Sequence, residues 1–179
     1  MIGRMLVCGL LLGTFGCGAA EGEDLGESQA ALLVDNQVLR INTSGKCVLY
    51  DGVTNRFKTL DCPAVSPFPD AKRFDFIGTS SGFRVQSNEG KCITAPPGIW
   101  EGIPLDATSL CSPDSYSTWK VRSGGNLTGT FQLESLEYSG KCMAEDLTQA
   151  GAYLRLATCA TSYPAKSKQV MILDPYSPP

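Results

Sequence analysis

An all-β fold is predicted, with twelve short strands arranged as three copies of one unit and closed upon themselves. Three observations carry this. The phrase Gly-Lys-Cys is written at Gly45-Lys46-Cys47, Gly90-Lys91-Cys92 and Gly140-Lys141-Cys142, a period of 45 and then 50 residues, and self-similarity on that scale decides architecture before local structure does. Each copy is followed by a second cysteine, Cys62, Cys111 or Cys159. Around each copy stand four short apolar runs, divided by clusters of Gly, Pro, Asp, Asn and Ser, which are turn formers.

The first run of each copy is Gln37–Ile41, Gly82–Gln86 or Thr130–Glu134. Phe83 and Val85, like Phe131 and Leu133, recur at the two-residue period of a strand. The second run follows the first cysteine as Val48–Tyr50, Ile93–Ala95 and Met143–Glu145. A third leads into the second cysteine, clearest in Tyr153–Cys159, and the fourth is Arg73–Ile77, Thr118–Val121 and Gln169–Leu173. No window holds a helical apolar stripe for ten residues or more. Closing twelve such strands into a threefold barrel removes the edges they would otherwise expose. Because each copy carries its own two thiols, the pairings Cys47–Cys62, Cys92–Cys111 and Cys142–Cys159 are expected. Each closes a loop of about 16–20 residues, worth on the order of 3 kcal/mol in the chain-entropy account.

Ahead of the repeats, the basic start Met1-Ile2-Gly3-Arg4 leads into an apolar run from Met5 to Phe15. That run is too short for a membrane-spanning helix, which takes roughly 20 residues, and fits the core of a secretory leader. With Gly16-Cys17-Gly18 behind it, the segment resembles a bacterial lipoprotein signal, in which cleavage precedes a cysteine that is then diacylated. The place three before Cys17, usually Leu, Val or Ile, holds Thr14, so ordinary cleavage after Gly18-Ala19-Ala20 stands as the rival reading. The expected boundaries are a leader over 1–16 (1–20 with ordinary cleavage), a tether over 17–31, one domain over 32–174 and a tail over 175–179. Residues 21–31 hold four carboxylates and no aromatic, too little apolar surface to offset the entropy of ordering.

The formal net charge is −3, and becomes −4 when Arg4 leaves with the leader. With no basic run, nucleic acid is not an expected partner, since phosphate binding needs clustered Lys and Arg. Export makes disulfides chemically reasonable. The remaining length is one ordinary domain able to bury a core of its own, and a monomer is expected.

The three repeats resemble the ricin B-type (R-type) lectins, which are β-trefoils. In that family each repeat reads Gly-Lys-Cys-Leu-Asp-Val, then Gly-Thr-x-Val-Gln-Leu-Trp-x-Cys, then Gln-x-Trp. Gly151–Cys159 follows the middle element, Ser117-Thr118-Trp119 and Lys72-Arg73-Phe74 follow the last, and Lys168-Gln169-Val170 keeps little of it. The resemblance covers roughly residues 34–173 and implies a trefoil that binds carbohydrate. It places Trp119 in the core. The ligand motif departs from the pattern. The family's sugar-binding aspartate, two residues after the first cysteine, is replaced by Leu49, Thr94 and Ala144. Its glutamine, counted four before the second cysteine, is replaced by Lys58, Ala107 and Arg155, and its aromatic, two before, by Leu60, Ser109 and Ala157.

Sugar sites pair an aromatic face with a few polar groups, commonly a carboxylate. By that criterion the candidates are Tyr50, Asp51, Asn55 and Lys58 in the first repeat, and Glu145, Asp146, Tyr153 and Arg155 in the third. The second offers Trp100 and Glu101 in the loop Pro96-Pro97-Gly98-Ile99-Trp100-Glu101, with Asp106 nearby. The plainer alternative is that these carboxylates are solvated turn residues and that Trp100 covers the open end of the barrel.

Catalytic motifs fare poorly. Gly78-Thr79-Ser80-Ser81-Gly82 spells a nucleophile elbow, but that motif needs a strand-to-helix turn and a histidine base, and the chain has no histidine. Ser117-Thr118-Trp119-Lys120 spells Ser-x-x-Lys without its companion motifs, and the cysteines lack zinc spacing. Asn42-Thr43-Ser44 and Asn126-Leu127-Thr128 fit glycosylation sequons that a bacterial lipoprotein would leave bare. The expectation is a non-enzymatic, exported glycan-binding module without cofactor or metal, anchored at a bacterial cell envelope or secreted. The alternative is a degenerate trefoil serving as a protein-interaction or protease-inhibitor module.

Overall fold

The computed structural model describes residues 32–62, 72–98, 102–112, 114–122, 127–146, 152–162 and 165–175. The leader, Cys17 and the tether fall outside this set, as do Trp100 and Glu101.

Twelve strands form, four to a repeat. The first repeat holds β1 (Leu32–Ile41), β2 (Cys47–Asp51), β3 (Arg56–Leu60) and β4 (Arg73–Gly78). The second holds β5 (Phe83–Ser87), β6 (Cys92–Thr94), β7 (Asp106–Thr108) and β8 (Thr118–Val121). The third holds β9 (Leu133–Ser135), β10 (Lys141–Glu145), β11 (Leu154–Thr158) and β12 (Met171–Pro175). Six of them make a barrel. β1 pairs β4, β4 pairs β5, β5 pairs β8, β8 pairs β9, and β12 pairs β1. A bridge between Phe131 and Met171 joins the last gap, so the ring of strands is closed. The other six strands are three hairpins, β2–β3, β6–β7 and β10–β11, which cap one end. This is a β-trefoil, the expected fold.

The repeated glycine has a conformational cause. Gly45, Gly90 and Gly140 have φ of 68°, 75° and 77°, and a Cβ on any of them would meet nothing within 4 Å. The residue is needed for its left-handed backbone, not for space. The turn it makes delivers the following lysine and cysteine into β2, β6 and β10. All three cysteine pairs close within their own hairpins, with Cα–Cα distances of 5.5, 5.4 and 4.9 Å, inside the range a disulfide needs.

The core follows the repeat. Val48, Ile93 and Met143, each next to the first cysteine, are fully buried, as are Phe57, Leu105 and Leu154 on the return strands of the hairpins. Full burial of one such side chain contributes roughly 1.5–3 kcal/mol. Trp119 is fully buried too, and its indole N–H donates to the Ile93 carbonyl at 2.9 Å. Gly82 ends the turn between β4 and β5, where a Cβ would collide with the Trp119 carbonyl oxygen. The Gly-x-Ser-x-Gly string is therefore a strand-to-strand turn packed against β8.

Two strands start two or more residues later than their apolar runs. β12 starts at Met171, because Gln169 closes a 3₁₀ turn over Ala165–Lys168 and spends its amide elsewhere. It accepts from Gln132 Nε2 at 2.9 Å and the Ala160 amide at 2.8 Å, and donates to the Thr158 carbonyl. β9 starts at Leu133, because Phe131 pairs only with Met171. At the other end of the domain β1 is longer than its run, starting at Leu32 and taking a bulge at Asn36, whose φ is 52°.

Candidate functional site

Where the three hairpins meet, their return strands touch in a cycle. Arg56 on β3 pairs with Asp106 on β7, Pro104 before β7 bridges Arg155 on β11, and Tyr153 before β11 bridges Lys58 on β3. Paired residues point to the same side of a sheet, and so do residues two apart on one strand. Phe57, Leu105 and Leu154 lie between the members of each strand pair and are fully buried. Arg56, Lys58, Pro104, Asp106, Tyr153 and Arg155 must therefore turn the other way, and each is half-buried at the outer face. They form a six-membered ring around the pseudo-threefold axis.

The hairpin registers place the resemblance on this ring. Leu49 faces Lys58, Thr94 faces Asp106 and Ala144 faces Arg155. The family's glutamine position in the second repeat is thus Asp106, one residue earlier than counting back from Cys111 gives. One extra residue between this position and the second cysteine shifts the count, since Asp106 stands five before Cys111 where Lys58 and Arg155 stand four before Cys62 and Cys159.

Each ring cation has a neighbour. Lys58 Nζ lies 3.1 Å from Asp51 Oδ2, and Arg155 Nη1 lies 3.9 Å from Asp146 Oδ2. Asp51 and Asp146 both stand four places after the first cysteine, so the pairing repeats between the first and third copies. The Arg56 guanidinium carbon is 5.9 Å from the centroid of the Tyr153 ring, at cation–π distance. Asp51 also accepts from Thr54 Oγ1 at 2.8 Å and the Val53 amide at 3.2 Å. Burial pushes its carboxyl up, but the hydrogen bonds from Thr54, Lys58 and Val53, together with the Lys58 charge, outweigh this and hold it below the usual carboxylate value.

The other predicted residues hold the seams between repeats. Tyr50 is almost fully buried, and its hydroxyl donates to Asn55 Oδ1 at 3.0 Å. Asn55 has φ of 54°, donates to the Ala107 carbonyl at 2.9 Å and accepts the Ala107 amide at 3.2 Å, tying the first hairpin to the second. Glu145 is buried and accepts from Thr59 Oγ1 at 2.7 Å, with Lys46 Nζ at 4.0 Å, tying the third hairpin to the first. Sequence reasoning passed over Arg56 and Pro104. Each stands two residues before a ring position, so strand period was the available signal. Among the described residues no three His, Cys, Asp or Glu side chains gather to hold a metal ion.

Comparisons with solved structures agree on the fold. A designed 3-fold symmetric protein, ThreeFoil, aligns with a TM-score of 0.61 at 16% identity, over 76% of this chain and 96% of that one. A Macrolepiota procera ricin B-like lectin in complex with lactose aligns with 0.60 at 12% identity, over 82% and 99%. A GlcNAcα1-4Gal releasing endo-β-galactosidase from Clostridium perfringens aligns with 0.63 at 11% identity, over 80% of this chain but 33% of that enzyme. No family model matches the chain, and no curated protein matches it in sequence.

Proposed function

We propose that this chain captures glycan without catalysis, on the ring of six at the hairpin end of the trefoil, as an exported protein held at a bacterial cell envelope through acylated Cys17. The ring is the observation that carries the reading. It gathers one aromatic side chain, one carboxylate, two guanidinium groups and one ammonium group from all three repeats onto one solvent-facing surface. Sugars are gripped by that combination of an apolar face and a few fixed donors and acceptors. Asp51 and Asp146 act as positioning residues for Lys58 and Arg155. The presence of this fold in a lactose-bound lectin and in part of a glycan-cleaving enzyme supports the same reading.

Hydrolysis is not part of it. Glycoside cleavage generally uses two carboxyl groups flanking the bond; of the three at this face, Asp51 and Asp146 are engaged by Lys58 and Arg155, which leaves Asp106. Three disulfides suit an oxidising compartment. A protein-binding module is the second reading, favoured by Val53 at the tip of the first hairpin and Leu110 beside Cys111, which are 95% and 81% exposed.

Glycan-array binding of the full-length chain, purified in mild detergent, tests the first reading. Binding that weakens in Asp106→Ala supports it. A flat array, together with tight capture of one protein from envelope extracts, overturns it in favour of the second. Metabolic labelling with a palmitate analogue should vanish in Cys17→Ser, and labelling that persists removes the anchor from the proposal.

A further inference from the structure

Resting on the glycan-binding reading, we propose that the seam between the second and third repeats holds a further saccharide site, built on Tyr116 and Tyr138, which takes an amino sugar with a free ammonium group. The two rings come from different repeats. Tyr116 stands just before β8, and Tyr138 lies in the turn between β9 and β10. Their centroids are 6.1 Å apart at an interplanar angle of 65°, an edge-to-face arrangement. Both side chains are half-buried.

This aromatic corner is fixed from behind. The Tyr138 hydroxyl donates to the Pro96 carbonyl and accepts from the Gly98 amide, both at 3.0 Å, which ties the third repeat to the chain leaving β6. Tyr138 also packs against the core. The Tyr116 carbonyl accepts from the Ala95 amide at 2.9 Å. Its hydroxyl, by contrast, has no partner among the described residues.

The serines on either side of Tyr116 each hold a carboxylate. Ser115 Oγ donates to Glu137 Oε2, and the Ser117 amide donates to Asp114 Oδ1 at 2.9 Å. Glu137 and Asp114 are exposed, and neither forms an ion pair among the described residues. The carboxylates at the hairpin ring differ in this respect, since Asp51 and Asp146 lie beside Lys58 and Arg155, and Asp106 is paired across the strands with Arg56. At Tyr116 the field is one-sided. The Glu137 charge, then Tyr138, burial and the Asp114 charge all push its phenol up, and no basic group offsets them.

A pyranose lays its C–H face on an aromatic ring, and an ammonium group is drawn both to the ring face and to a carboxylate that lacks a counter-ion. Tyr116 with Glu137 and Asp114 offers these together. An N-acetylated sugar fits the ring equally but brings no charge to the two carboxylates.

The test compares a glucosamine hexamer with its fully N-acetylated counterpart, in mildly acid buffer where the free amines are charged. Titration of the full-length chain should show roughly tenfold tighter binding to the glucosamine form. Glu137→Gln and, separately, Asp114→Asn should each cut that preference by roughly threefold, with thermal unfolding within a few degrees of the parent. Both replacements keep an oxygen for the serine that each carboxylate holds. Tyr116→Ala should weaken binding of the glucosamine hexamer to the same degree or more. Equal affinity for the two hexamers, a preference that survives in all three variants, or no binding to either by a chain that still binds another glycan on the array overturns this inference and leaves the glycan reading standing. Failure to bind any glycan removes both. Competition by polylysine as effective as by the glucosamine hexamer also overturns it, because the seam would then read a basic peptide rather than a sugar.

Discussion

Lys58 and Tyr153 come from the first and third repeats, yet their backbones form an antiparallel bridge that puts both side chains on one face. The ring exists only because the three hairpins meet at one end of the barrel, and its aromatic member is the most direct handle on its use. Tyr153→Ala should weaken glycan binding about tenfold, the equivalent of ~1.4 kcal/mol, while Tyr153→Phe should stay within about twofold. Isothermal titration on the best array ligand reads both. If Phe loses as much as Ala, the hydroxyl is the contact and the stacking role is wrong.

Trp119 should dominate stability among single residues. Trp119→Ala removes a fully buried indole and its hydrogen bond to Ile93, at a cost of about 3–5 kcal/mol. Urea unfolding followed by far-ultraviolet circular dichroism measures this. A cost under about 1 kcal/mol would mean the barrel does not pack around it.

Gly82→Ala is the sharpest test of the turn between β4 and β5. Its methyl group has nowhere to go but the Trp119 carbonyl, so β5 and β8 must part locally. Overpacking of this kind costs about 1–3 kcal/mol, whereas Gly45→Ala meets no atom and pays only for its backbone angle. Differential scanning calorimetry should rank Gly82→Ala the less stable of the two, and the reverse order would refute the packing argument.

Asp51 gives the stability curve a defined sign. Its folded value lies below the ordinary 3.8, so the folded state binds this proton more weakly than the unfolded chain does. The stabilisation is complete above 3.8 and is lost as the pH falls through the lower, folded value. Asp51→Asn should therefore be less stable than the parent at pH 7, by about 1 kcal/mol or less for so solvent-screened a group. The gap should close in acid. A gap that widens below pH 4 would contradict the assignment.

Each disulfide should be worth about 3 kcal/mol. Paired replacement of Cys142 and Cys159 by serine removes the bridge at the base of the third hairpin. Non-reducing peptide mapping of the parent should find Cys47–Cys62, Cys92–Cys111 and Cys142–Cys159 only.

How much of this was legible depends on the range of each interaction. The glycine turns and the cysteine mates are local, so three repeated phrases exposed them and twelve strands followed. β12 was misplaced by two residues because Gln169 is engaged by Gln132 and Ala160, partners that a linear reading does not bring near it. The ring residues were visible singly as polar positions. That Lys58, Asp106, Tyr153 and Arg155 form one surface was not, because the bridges joining them run between repeats. Counting from Cys111 chose Ala107 over Asp106, and only the register of β6 against β7 corrects it.

Six thiols can in principle combine in 15 ways, and a chain with bridges between distant segments must search among them. Here every bond joins neighbours in sequence, so each hairpin can oxidise as soon as its own two cysteines are available, without waiting for the next. Folding of this protein should need an oxidant but little shuffling by an isomerase.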